Sequence, residues 1–359
     1  MPQTHTGENS VIQSKGYSAS AATSPLAPID FERRDPGKSD LVLELLYCGV
    51  CHSDIHYARN EWGHSRFPVV PGHEIIGRVT QIGDQVSNFK IGDLAGVGCV
   101  IDSCRTCPPC EDHEEHYCEK GVTMNYGSKE RKDSKVISQG GYSTNYVVDS
   151  DYALHIPSTL NPEGVAPLLC AGITTWSPLR HWNVGPGMKV GVVGLGGLGH
   201  MGLKFAHAFG AEVTLFTTSA AKADDAKSLG ADKVIISTDP EAMKSAHGFD
   251  FILDTVSAVH DINPYLSALK RSGTLCLVGL PEQQLAFKSS LVLRNKVISG
   301  SFIGGIKETQ EMLDYCGEHN ITADIELINI ADINEAFDRV VKSDVKYRFV
   351  IDLATIKTG

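Results

Sequence analysis

The rhythm of apolar and polar positions changes near the middle of the chain. In the first half, apolar residues come in short alternations or runs, such as "DLVLELLYCGV", "EIIGRVTQIG" and "GGYSTNYVVDSDYALHIP", broken by Gly, Pro and Asp. That pattern predicts short strands in a compact, irregular β-rich domain. From about Gly187 the texture becomes "KVGVVG", "GLGHMGLKFAHAFGA" and "EVTLFTT": an apolar strand, a helix with one apolar stripe, and another strand. Helix-like "AAKADDAKSLGA" and the strands "KVIIS", "FDFILDTV" and "GTLCLVGL" continue the alternation, which predicts an α/β, doubly wound parallel sheet. Beyond "NKVISGSFIGG" remain two helix candidates, "KETQEMLDYCGEHN" and "INEAFDRVVKSD", and a terminal strand "YRFVID".

A chain of 359 residues is long enough for two such domains. The 43 acidic against 32 basic residues, a formal charge of -11, argue against a nucleic-acid or anionic-membrane binder, and there is no K/R-rich block. No apolar run is long enough to span a bilayer. The leader "MPQTHTGENSVIQSK" lacks the apolar core of a secretion signal and the arginines of a transit peptide, so residues 1–15 read as a loose polar tail on a cytoplasmic protein. Of ten cysteines, eight precede residue 171; in a reducing compartment, clustered thiols point to metal rather than disulfides.

"CRTCPPCEDHEEHYC" sets Cys104, Cys107, Cys110 and Cys118 at C-x2-C-x2-C-x7-C. Such spacing lets four thiolates close a tetrahedron with no open position, which predicts a structural ion; an iron-sulfur cluster is the other metal reading, without a second ligand set or redox partner nearby to favour it. "VGVVGLGGLGHMG" carries Gly194, Gly196 and Gly199 as G-x-G-x-x-G, with Leu195, Gly197 and Leu198 between them, after a strand and at the start of a helix. In that context the turn can receive a dinucleotide pyrophosphate at the helix N-terminus. An acidic residue some 20 positions on would bond the ribose hydroxyls of NAD; here the loop reads "FTTSAAK", and Thr217, Thr218, Ser219 and Lys222 offer hydroxyls and a cation, which favours NADP(H).

In "LYCGVCHSDIH" four potential ligands crowd together, Cys48, Cys51, His52 and His56, open to reading as half a zinc finger, a redox pair or one corner of a catalytic metal site. "VPGHEIIG" adds His73 and Glu74, and "PLLCAGITTW" adds Cys170. Two thiolates and an imidazole from distant segments can form a Cys2His site with an open fourth position, the pattern of catalytic zinc in alcohol dehydrogenases. With "CGVCHSD", "VPGHE", the four-cysteine loop, "LLCAGITT", "GLGGLGHMG", "GSFIGG" and "YRFVID", the chain resembles the zinc-containing medium-chain dehydrogenases/reductases of the cinnamyl alcohol dehydrogenase type and their broad aldehyde reductases, from about residue 15 to 353.

The resemblance implies a GroES-like catalytic domain, residues 1–166, a Rossmann cofactor domain, 167–304, and a return to the catalytic domain over 305–359, with the active site in the cleft between them. It implies two zinc ions per chain, one structural and one catalytic on Cys51, His73 and Cys170, with Glu74 as an occasional ligand and Cys48 a small buried residue. Asp54 would orient His73, while Ser53 and His56 would relay a proton. Thr174, Val278, Ser301 and Arg348 would adjoin the cofactor, and Trp62, Thr123, Met124, Phe302 and Ile303 the substrate. Where plant cinnamyl enzymes carry a Trp this chain reads "EKGVTMNYG", which favours a range of medium or aromatic aldehydes over a narrow phenylpropanoid specificity. The implied activity is NADPH-linked reduction of aldehydes to primary alcohols. An NAD-linked alcohol oxidiser and a relative acting on iminium or conjugated bonds are the alternatives. A metal-free quinone reductase would lack the cysteines, and a mere binding protein would not need the relay. A homodimer through "KVISGSFIGG" is expected.

Overall fold

The computed structural model describes residues 11–281 and 283–356. These form two compact units, one running up to Leu169 and resumed by Gly305–Glu318 and from Ile325 on, the other comprising Cys170–Gly304 and His319–Asp324.

In the first unit a seven-stranded sheet runs Ile325–Asn329, Arg348–Asp352, Asp40–Gly49, Ile75–Ile82, Leu94–Val97, Leu154–His155, and Asn145–Asp149 also pairs with Asp40–Gly49. The strand Asp40–Gly49 is the hub, antiparallel to three neighbours. Leu41, Val42, Leu43 and Leu45 are all buried, so the strand reads as an apolar run rather than a strict alternation because both its faces are covered. An N-terminal hairpin pairs Gln13–Ser18 with Ala27–Glu32. Residues 13–15, expected within the tail, therefore belong to a strand, whereas residues 1–10 lie outside the described residues. Small polar residues hide this strand: Ser14 is buried, Lys15 N–H donates to Thr144 Oγ1 at 3.1 Å, and a Cβ on Gly16 would strike the Tyr142 carbonyl. Its burial comes from backbone pairing, which leaves no apolar signature.

The second unit holds six parallel strands in the order Lys233–Ile236, Glu212–Thr217, Lys189–Val193, Phe249–Asp254, Leu269–Leu277, Val297–Gly300. Numbered along the chain this is 3-2-1-4-5-6, the doubly wound arrangement whose switch point lies beside the first strand. Phe216, Phe249, Ile252, Tyr265, Leu266 and Leu275 fill one side of the sheet. Trp176 meets Phe205 and Phe209 edge-on, joining the helix Ala171–His181 to Gly197–Ala208.

An ion cluster fastens the hub strand. Asp40, with no exposed surface, accepts from the Gly37 N–H, from Arg34 and from Lys132 Nζ at 2.6 Å; Lys132 reaches Asp149 at 2.8 Å, which Arg105 meets at 3.1 Å. Burial alone would raise the Asp40 pKa, but the cations of Arg34 and Lys132 and the Gly37 N–H together outweigh it and hold the carboxyl at about 2. A depressed folded pKa contributes stability that is complete above the unfolded value of about 3.9 and disappears as pH falls toward the folded one. Asp40→Asn, which leaves buried cations uncompensated, is expected to cost about 3 kcal/mol at pH 7. In urea unfolding followed by circular dichroism, its deficit against the wild type should shrink between about pH 4 and pH 2. A deficit that does not change with pH would contradict the assignment.

Candidate metal centres and cofactor site

The four clustered cysteines surround the short helix Pro108–Glu111, which Cys107 caps. Their sulfurs lie 3.4 Å (Cys107 to Cys110), 3.9 Å (Cys104 to Cys110) and 4.0 Å (Cys107 to Cys118) apart, and none is in a disulfide. Four thiolates at about 2.3 Å from a tetrahedral zinc would be separated by about 3.8 Å, so the donor set fits that ion. Further groups supply donors to the sulfurs: Ser103 Oγ sits 3.1 Å from Cys110 Sγ, itself receiving the Tyr152 hydroxyl at 2.7 Å, and the Cys104 N–H points to Cys118 Sγ at 3.4 Å. The Thr106 N–H, with neighbouring thiols, lowers the Cys104 pKa to about 6.

Cys51, His73, Glu74 and Cys170 form a second group, all buried, their ligand atoms within 4.8 Å of one another. Among the described residues these two are the groups of three or more such side chains able to share an ion. Cys51 ends the turn after the hub strand and caps the helix His52–Ala58; His73 and Glu74 immediately precede Ile75–Ile82; Cys170 caps Ala171–His181. A thiol at a helix N-terminus is favoured as thiolate, the form that binds metal.

Asp54 fixes the imidazole. Its Oδ1 accepts from His73 Nδ1 at 2.9 Å and from the Gly72 N–H at 3.0 Å, while Oδ2 accepts from the Cys51 N–H at 2.9 Å. An ionised carboxylate can only accept, so the Nδ1 carries the proton and Nε2 is left for a metal. Burial opposes a charged His73, and the Asp54 carboxylate overrides it, raising the pKa well above the ordinary value. Gly72 adopts φ +103, and a Cβ there would strike the Tyr142 ring and Cys48 Sγ, so close packing requires glycine. Cys48 itself is fully buried, outside the ligand group, with its thiol pushed well up by burial.

Glu74 has one carboxylate oxygen in an ion pair with Arg348, and its other, Oε2, has no hydrogen-bond partner although fully buried. An orphaned carboxylate oxygen beside two thiols and an imidazole is what a cation site needs. Burial, tempered by Arg348 and reinforced by Cys51, raises the Glu74 pKa to about 7. Arg348 is buried beside the candidate ligand group, brought there because its strand lies beside the hub strand.

Ser53 and His56 share a helix, three positions apart. The His56 Nδ1 is paired with Glu61, a residue that motif reading passed over, and its ring lies 5.3 Å from Trp62. Met124 is half-buried, and its N–H donates to Ser128 Oγ at 3.0 Å. Thr123 is buried beside a cavity of about 10 Å³ that Arg34, Glu130, Lys132 and Asp149 also line. In the second unit Phe302 is half-exposed, while Ile303 is buried with φ +42, a strained value for a β-branched residue. Thr174 is buried, its N–H donating to the Cys170 carbonyl.

At the switch point Gly194 takes φ +89, a Cβ on Gly199 would strike the Gly194 carbonyl, and Gly196 caps the helix Gly197–Ala208. Leu195 is buried and Leu198 half-buried in the same turn. Beyond the next strand Thr217 is buried, its Oγ1 accepting from the Ser219 N–H at 3.2 Å, so Thr218, Ser219 and Lys222 are the loop's accessible groups. Lys222 Nζ donates to the Leu195 carbonyl at 2.8 Å, which sets a cation beside the glycine turn. Val278 and Ser301 sit at the carboxyl ends of their strands, the Val278 N–H bonded to the Asp254 carbonyl and the Ser301 N–H to that of Leu277.

Residues 37–158 match the alcohol dehydrogenase GroES-like domain and residues 197–318 the zinc-binding dehydrogenase family. The chain is 53% identical over 347 residues, 95% of its length and 99% of the relative's, to aldehyde reductase YahK of Escherichia coli (strain K12). A cinnamyl alcohol dehydrogenase structure from Sorghum bicolor superposes with TM-score 0.93 at 43% identity, covering 97% of this chain and 99% of that one. One from Helicobacter pylori, complexed with NADP(H), gives 0.91 at 42%, covering 96% and 99%. Ligand spacing, fold order and these likenesses agree, and the chain belongs to the zinc-type medium-chain alcohol dehydrogenase family, on its cinnamyl alcohol dehydrogenase and aldehyde reductase branch.

Proposed function

We propose that this alcohol/aldehyde oxidoreductase is an NADPH-linked aldehyde reductase that works reversibly on primary alcohols, with two zinc ions per chain. The observation that carries the reading is the contrast between the two donor sets: four thiols that would close a tetrahedron, and a Cys2His group whose fourth neighbour is a carboxylate shared with Arg348, a ligand that could give way to substrate. Zinc on Cys51, His73 and Cys170 would supply Lewis acidity to the carbonyl oxygen, and NADPH the hydride. Asp54 keeps His73 aligned. Ser53 and His56 would carry the proton, with Glu61 holding the His56 ring through its Nδ1. Thr218, Ser219 and Lys222 would hold the 2'-phosphate, and no carboxylate ends the strand Glu212–Thr217 to repel it. Thiols outside any disulfide suit a cytoplasmic, reducing setting, and no helix among the described residues is long and apolar enough to cross a membrane.

Initial rates with benzaldehyde, cinnamaldehyde and a medium aliphatic aldehyde are expected to be several-fold higher with NADPH than with NADH. Ser219→Asp should lower kcat/KM for NADPH at least tenfold while sparing NADH; equal loss with both cofactors would sink the assignment of this loop to the phosphate.

Cys170→Ser should abolish activity and remove one zinc per chain by elemental analysis, the ion at the four cysteines staying bound. Loss of both ions from a folded variant would refute the separation into two sites.

We also infer a homodimer. Val297–Gly300 is an edge strand, flanked by Leu293, 85% exposed, and Val297, 43% exposed, a surface that pairing with a second copy would cover. Light scattering after size-exclusion chromatography should give twice the chain mass, falling to one chain for Ile298→Pro; a monomeric wild type would rule this out.

A further inference from the structure

Asp54 has more donors than the backbone and His73 provide. The Tyr142 hydroxyl donates to its Oδ2 at 3.1 Å, and the Tyr126 hydroxyl lies 3.4 Å from Nδ1 of His73, the ring that Asp54 holds. Both phenols are buried deep in the first unit, Tyr142 with no exposed surface and Tyr126 at 8%. Neither belongs to the ligand group, yet Tyr142 meets the carboxylate that orients a ligand and Tyr126 meets the ligand ring itself.

Each is fixed by its own surroundings. Tyr126 stands edge-on to Tyr57 at 5.1 Å and tilted against the His73 ring at 5.8 Å. Before it, Asn125 is tied on both sides, its Nδ2 donating to the Gly98 carbonyl at 3.1 Å and its carbonyl receiving the Tyr146 hydroxyl at 2.9 Å. Tyr142 lies in a segment gripped by a buried arginine: Arg33 donates to the carbonyls of Gln139, Gly140 and Asn145 and stacks over the Tyr146 ring at 4.6 Å. The Tyr142 N–H donates to the Pro71 carbonyl at 3.0 Å, so the same tyrosine braces the turn that presents His73.

We propose that Tyr126 and Tyr142 are positioning residues of the Cys2His centre: the Tyr142 hydroxyl on Asp54 and the Tyr126 hydroxyl beside His73 Nδ1 brace the Asp54–His73 pair and hold the imidazole at the angle required by the metal. Without the hydroxyls Asp54 keeps three donors, which hold its position but leave the carboxylate plane free to tilt, and the imidazole tilts with it. Retention of the metal, rather than folding, is then the property these groups control. Outer-shell partners of this kind govern metal affinity by about 10- to 100-fold.

The proposal rests on the metal assignment above, and the test separates the two. Wild type, Tyr126→Phe, Tyr142→Phe, the double variant and Cys170→Ser would be loaded with cobalt, and both the visible d–d bands and the rate of ion loss to a chelator recorded. The signal absent from Cys170→Ser belongs to this centre. Each phenylalanine, which keeps the ring and removes only the hydroxyl, is expected to shift the d–d bands and to speed loss of that ion about tenfold, with more in the double variant, while loss from the four-cysteine site is unchanged. Variants with wild-type bands and release rates, whatever their melting temperatures, would overturn the proposal and leave the centre's identity standing. A wild type showing no cobalt signal beyond that of Cys170→Ser would overturn both. Should Tyr142→Phe fail to fold, Tyr126→Phe alone decides by the same criteria.

Discussion

Asp54 has no exposed surface, and a carboxylate taken that far from water costs several kcal/mol unless donors replace the solvent. The donors come from the turn that holds Cys51, from Gly72 and His73 before the next strand, and from Tyr142 further along the chain. Satisfying one acid thus requires three segments to converge, and the same convergence brings Cys51 and His73 to within ligand distance. The candidate metal centre takes its geometry from a polar group outside its ligand set. Arg348 and Glu74 repeat the pattern on the other side, joining the C-terminal strand to the same cluster.

The two ligand sets illustrate different ways of closing a site. Cys104 to Cys118 lie within one short loop, whose ends meet at small entropic cost. Cys51, His73 and Cys170 are spread over more than a hundred residues and meet only once the sheet has formed. The first set can therefore be recognised by spacing alone, whereas the second needs a fold to become a site.

That difference governs how far the sequence could be read. The parallel sheet, its glycine turn and the four-cysteine loop were legible because each leaves a periodicity or a compact motif, whereas Cys51, His73 and Cys170 were joined only through the family resemblance of their separate segments. The Tyr142 contact with Asp54 was not legible, since Tyr142 sits 88 positions away and nothing in "GGYS" marks its hydroxyl as aimed at a carboxylate. Arg348 was legible as an important arginine but not as the partner of Glu74, a pairing set by the register of Val350 against Gly49. Glu61 lay five residues from His56 in a loop whose path no pattern specifies. Thr123 and Met124 are adjacent, and only the pairing of their short strand with Val100–Asp102 determined that the threonine would be buried.

The hub strand also sets an order of events at the ribosome. Its Tyr47–Gly49 end pairs with Val350–Asp352, about 300 residues later in synthesis. At roughly 5–20 residues per second that edge waits some 15 to 60 s for its neighbour, with Glu74 lacking its arginine for as long. The four-cysteine loop is complete within its own stretch of chain, so the nascent protein can take up an ion there well before the centre that includes Cys170 and Glu74 is finished. Every molecule thus passes through an interval in which the thiols of both candidate sites are made but Glu74 still lacks its arginine, and the strand Arg348–Asp352 ends that interval.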